Sequence, residues 1–242
     1  MAHLFRAGGA YSAYRPTYPA ELYERVLEFA SLAGAAAAAE RRLAVDIATG
    51  SGQAARELAA RFERVIAIDG SPQQLEHAAR DTPNIEFRLA DAHATGLPAG
   101  CADLVTVAQA LHWFDAPAFY REARRVLSAP RGALAVWCYG LATVEAEGHP
   151  ADAALKDIFG EELGPYWDER RKLVDNMYRG MEPVQGRDFE TVERQLVEMR
   201  HELSVEGLGA SSDSQVTLVT PIALLLAKGS IPLAVDDAHT DP

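Results

Sequence analysis

The chain has 242 residues, a hydrophobic fraction of 48%, a charged fraction of 24% and a formal net charge of −12. That length allows one large or two small domains around a sizeable core, and the balance is that of a soluble globular protein. The acidic surplus excludes a protein that grips nucleic acid through its overall charge, which needs lysine and arginine in excess; it suits a cationic ligand weakly.

The N-terminal Met1–Arg6 lacks the apolar stretch of a secretory signal, so a cytoplasmic protein with no membrane anchor is expected. Ala20–Ala39 reads as a helix with Leu22, Val26, Leu27 and Ala30 facing inward, ending in a low-complexity alanine run. From Arg41 to Gly140 short apolar runs alternate with amphipathic segments, the pattern of an α/β fold with a mostly parallel sheet covered by helices on both faces. The predicted strands are Leu43–Ala48, Arg64–Ile68, Ile85–Ala90, Ala102–Ala108 and Ala133–Cys138. Ser71-Pro72 and Asp115 look like caps that open helices. Beyond Gly140 the alternation stops: Ala151–Phe159 reads as helix, and Phe189–Leu203 fits strand or helix. Val216–Ala227 is too short to span a bilayer and is broken by Pro221. Cys101 and Cys138 lack ligand or redox spacing and read as free thiols, and the scattered histidines show no metal-binding pattern.

The chemistry concentrates at three strand ends. The first predicted strand runs into Gly50-Ser51-Gly52, a turn whose glycines let a ligand approach the backbone. Gly50-Ser51-Gly52-Gln53-Ala54-Ala55 also fits a dinucleotide fingerprint, so a nicotinamide-dependent oxidoreductase competes at this point. Asp46, Asp69 and Asp91 separate the readings. A carboxylate at Asp46 requires a partner, which a ligand ammonium would supply, or else it caps the turn through backbone amides. Asp69 is placed to hold ribose hydroxyls, and Asp91 to accept from an adenine amino group. Ammonium, ribose and adenine are the polar handles of S-adenosylmethionine.

These residues resemble the class I S-adenosylmethionine-dependent methyltransferases, of the methyltransferase type 11 domain kind. Asp46–Gly52 is similar to that family's first motif, and Asp91-Ala92 to its adenine-binding turn. Asp103–Asp115, Tyr11–Pro19 and Gly164–Arg171 resemble the trans-aconitate methyltransferase branch, in which the N-terminal segment covers the cofactor. The resemblance spans roughly residues 5 to 208. It implies a cofactor site of Tyr11, Arg15, Asp46, Ala48, Gly50, Gly52, Asp69, Gly70, Asp91, Ala92 and Gln109. Tyr14 and Trp113 are placed beside the substrate, and Tyr11, Tyr14 and Trp113 offer cation–π faces to a sulfonium. His112 is the catalytic candidate, a general base for a hydroxyl substrate or an orienting group for a carboxylate; alternatively His112-Trp113-Phe114 is a packed corner. The substrate expected is a small molecule methylated on a carboxylate or hydroxyl oxygen.

The organisation expected is a methyltransferase domain over residues 1–208, with a cofactor core at 41–140 and a lid at 5–20, then a divergent tail at 209–242. After Leu208 the family pattern is lost. Either Val216–Val219 replaces the last strand or the sheet is left short on that edge, an atypical finish that opens a third alternative, a catalytically silent cofactor-binding protein.

Overall fold

The computed structural model describes residues 17–35, 37–78, 80–145, 150–204 and 215–230. The elements are α1 (Ala20–Phe29), β1 (Leu43–Ile47), α2 (Gln53–Ala59), β2 (Arg64–Asp69), α3 (Pro72–Glu76), β3 (Ile85–Leu89) and β4 (Leu104–Ala108). They continue with α4 (Ala116–Val126), β5 (Ala133–Tyr139), β6 (Thr143–Val144), α5 (Pro150–Asp157), α6 (Arg171–Asp175), β7 (Phe189–Ser204) and β8 (Gln215–Ser230). The strands form one sheet in the order β3-β2-β1-β4-β5-β8-β6, with β7 paired to the other side of β8. β1 to β5 run parallel. β8 is antiparallel to β5, β6 and β7.

Successive strand residues face opposite sides of a sheet, so a strand buried on both faces feeds two cores. Ala44, Val65, Leu104, Ala135 and Leu224 pack with Leu22 and Val26 of α1 and Leu58 of α2. Val45, Ile66, Val105, Val136 and Leu225 pack with Phe119, Ala123 and Val126 of α4.

Both predicted helix caps form. The Ser71 hydroxyl accepts from the Gln74 N–H, and the Asp115 carboxylate from the Ala118 N–H at 3.0 Å. The helix expected over Ala20–Ala39 stops at Phe29. Ser31 takes a left-handed φ of 59°, with the Ser31 N–H bonded to the Glu28 carbonyl and the Leu32 N–H to the Leu27 carbonyl. This closing turn satisfies the last carbonyls and buries Leu32, which outweighs the helix propensity of the alanines that follow.

Phe189–Ser204 is strand, and the C-terminal edge is finished rather than short. β8 pairs with β5 from Ala133↔Lys228 to Tyr139↔Ile222, and with β6 at Thr143↔Val219. The replacement strand thus extends well past Val219 to Ser230, and the sheet crosses the 208/209 boundary drawn from the sequence. Pro221 lies at the seam where β8 passes from β5 to β6. Its carbonyl receives the Gly140 N–H at 2.9 Å. Among the described residues no helix is long and apolar enough to cross a membrane.

Candidate active site

Parallel strands deliver their C-terminal ends to one rim, and β1, β2 and β3 bring Asp46, Asp69 and Asp91 there. After β1 the chain turns sharply: Ala48, Gly50 and Gly52 all have positive φ, at 55°, 58° and 89°. A Cβ on Gly52 would stand 3.1 Å from the Phe87 ring, so glycine is required there by conformation and by space. Asp69 ties this turn to β2. One of its carboxylate oxygens accepts the Gly50 N–H at 2.8 Å and the other the Ser71 N–H at 2.8 Å. Gly70 follows as an exposed residue on the same rim.

Asp46 is fully buried. Its two oxygens accept the Thr49 hydroxyl at 2.6 Å and the Thr106 hydroxyl at 2.7 Å. The acid therefore braces the turn against β4 through these two hydroxyls. Gln53, the first residue of α2, was not singled out from the sequence. Its side-chain Nε2 is buried and has no partner among the described residues, a donor aimed from the same turn.

Asp91 is exposed on the rim beside Ala92. It accepts both the backbone N–H and the ring Nδ1 of His93, each at 2.7 Å. His93 Nε2 in turn receives the Asp115 N–H at 3.1 Å, which fixes the ring proton on Nδ1. The backbone and then the ring of His93 hold the Asp91 carboxyl below its usual range. An Asp-x-His step is the local signal that could have found His93.

The rim over β4 and β5 is built differently. Gln109 has φ 55°, and its side-chain amide accepts the Tyr139 N–H at 2.8 Å while donating weakly to the Tyr139 carbonyl at 3.4 Å. It acts as an extra strand residue that prolongs the β4–β5 pairing. His112 follows in a 3-10 turn, Leu111–Trp113, with its Nδ1 2.8 Å from the Tyr178 hydroxyl. Its ring lies 4.9 Å from that of Trp113, and the Arg170 guanidinium sits 5.4 Å from the Trp113 ring centre. Tyr178 is fully buried, and burial pushes its phenol well above the ordinary range. Neither Tyr178 nor Arg170 was proposed from the sequence alone; nothing local marks Tyr178. Tyr11, Tyr14 and Arg15 lie outside the described residues. Cys101 and Cys138 are free thiols, and burial raises that of Cys138 to about 12.

The fold and rim together define the class of Rossmann-like methyltransferases. A solved structure from Anaeromyxobacter dehalogenans, described as a type II methyltransferase, superposes with a TM-score of 0.71 at 28% identity, over 89% of this chain and 98% of that one. A family model described as a methyltransferase domain matches residues 45–136. A protein named as a methyltransferase in Dictyostelium discoideum is 36% identical over 200 residues, 82% of this chain and 71% of its own length. The chain belongs to the S-adenosylmethionine-dependent methyltransferase family. A trans-aconitate 2-methyltransferase of Methylobacterium radiotolerans is 40% identical over 97 residues, 39% of this chain and 37% of that protein. Family membership sets aside the oxidoreductase that the glycine turn alone left open. The completed β8 edge removes the reason for expecting a silent protein.

Proposed function

We propose that the chain binds S-adenosylmethionine across the C-terminal ends of β1, β2 and β3 and methylates a carboxylate or hydroxyl oxygen of a small molecule. The observation that carries this reading is the Gly50–Gly52 turn locked to Asp69 at the strand ends, with the buried Gln53 amide N–H, unpartnered among the described residues, in the same turn. A ribose diol and an amino-acid carboxylate are the partners such groups take. Asp91, held ionised by His93, is a rim acceptor for a ligand amino group. Asp46 acts through Thr49 and Thr106 by keeping the turn in register.

S-adenosylmethionine supplies an electrophilic methyl group, whose transfer forms a bond to the acceptor oxygen as the sulfur–carbon bond breaks. The chain's own residues then have to orient and enclose the reactants, which is the main source of rate in such a displacement. His112, Trp113 and Arg170 form the wall beside β4 on which the acceptor would lie. The similarity to a trans-aconitate 2-methyltransferase supports carboxylic acids as the first acceptors to try. Calorimetry with S-adenosylmethionine and with nicotinamide dinucleotides tests the cofactor half: dinucleotide binding without a response to S-adenosylmethionine defeats the reading. A screen of small acids and alcohols with a methyl-labelled donor, trans-aconitate among them, tests the acceptor half.

A further inference from the structure

The 3-10 turn after β4 starts at Ala110 and has no side-chain cap from its own segment. The first N–H groups of such a turn need outside partners. Here Tyr178, which lies 66 positions further along the chain, brings its phenolic oxygen to this turn. The same oxygen stands 2.8 Å from His112 Nδ1. A phenol carries one proton, and in a fully buried site that proton needs an acceptor. Among the described residues, His112 Nδ1 is the acceptor within reach. The opposite arrangement, with a proton on Nδ1, would strand the phenol proton in a fully buried site.

The backbone that delivers Tyr178 is unusual. Met177 and Tyr178 are consecutive non-glycine residues with φ of 55° and 57°. Such conformations persist only where the surroundings over-determine them. The Tyr178 N–H bonds the Leu173 carbonyl at 2.9 Å, and Arg194 holds the Met177 carbonyl. A packing role would be met by the ring alone; this turn also aims the hydroxyl.

We propose that Tyr178 is a positioning residue that holds neutral His112 with its proton on Nε2, so that His112 offers a hydrogen-bond donor and does not serve as a general base. The inference rests on the reading above in placing His112 beside the acceptor. Its consequence is that the nucleophilic oxygen must reach the site already deprotonated, because the ring nitrogen that could take its proton is occupied.

Nitrogen NMR of the full chain with labelled histidine tests this without cofactor or substrate, the His112 signals being assigned by their loss in His112→Gln. An Nδ1 without a proton and a protonated Nε2 are expected in the native protein, with mixed tautomers in Tyr178→Phe. A protonated Nδ1 in the neutral ring of the native protein overturns the proposal. Turnover with trans-aconitate as the probe acceptor supplies a second arm. His112→Gln keeps an amide donor near the place of Nε2 and should retain at least about a tenth of the native rate, while His112→Ala falls about 100-fold, as for loss of one aimed donor. Equal losses in the two variants argue for a base and against the proposal. No turnover in any form counts against the methyl-transfer reading with this acceptor and leaves the tautomer measurement to decide this one.

Discussion

The two halves of the rim are held by opposite kinds of group. Over β1 to β3 the fixing residues are carboxylates: Asp46 gathers two hydroxyls, Asp69 two backbone N–H groups, and Asp91 both donors of His93. Over β4 and β5 they are uncharged in the arrangement seen here, a glutamine amide on Tyr139 and a phenol on His112. Charge-assisted bonds are shorter and stronger than neutral ones, so the first half is a stiff frame that resists change. The second half sits beside the acceptor wall, where a fixed negative charge would repel an anionic nucleophile.

Removing the deepest carboxylate should break the frame most. Asp46→Ala should lower stability by about 3 kcal/mol or more, since hydrogen bonds to a charged group contribute roughly 1.5–3 each and two hydroxyls are left stranded. Urea unfolding measures it, and a loss below 1 kcal/mol would deny Asp46 its bracing role. Asp69→Ala comes next and should weaken S-adenosylmethionine binding by about 1–3 kcal/mol. Calorimetry reads that directly, and unchanged affinity would take Asp69 out of the site. On the neutral side, Gln109→Ala should cost about 1 kcal/mol, the ordinary worth of an uncharged bond. Hydrogen exchange should then speed up at the Tyr139 amide while the Gly50 amide stays protected; equal acceleration at both would erase the distinction between the halves.

Acid should separate the halves with the smallest effect. The Asp91 carboxyl is held below its ordinary 3.8 by the His93 N–H and ring. A carboxyl depressed in the folded state stabilises fully above its unfolded value and loses that contribution as pH falls through the folded one. The charged half should therefore begin to loosen at Asp91 as pH falls below 3.8, before the Gln109–Tyr139 bridge responds. Amide shifts of His93 and Tyr139 followed by NMR through this range check it; simultaneous movement would mean that the sheet opens as one unit.

The same division explains what the sequence made legible. Asp69 stands directly after an apolar run, Asp91 after an alternating one, and Gly52 closes the glycine turn that follows the first strand, so their place at strand ends follows from local pattern alone. Asp46 was legible as a position, but its partner Thr106 lies 60 residues away and meets it only through the β1–β4 register. Gln109 likewise shows its purpose only once β5 lies alongside. Tyr178 reaches the rim through two left-handed residues, a conformation that no propensity announces. The last two strands were obscure for a related reason. β8 is buried from Ile222 to Ala227 and reads as a continuous apolar run, while β7 at the edge carries a mixture of charged and apolar residues with no clean alternation.

That late strand has a consequence for how the molecule is made. β8 is hydrogen-bonded to β5, β6 and β7 at once, yet it comes after all of them in the chain. During synthesis β1 to β5 emerge from the ribosome with one long edge uncovered, and the native partner of that edge lies about 90 residues downstream, a wait of roughly 4–18 s at ordinary elongation rates. Until β8 arrives, the nascent sheet carries an open template for pairing with other chains. The buried strand that completes the fold also sets the interval over which the growing chain needs protection.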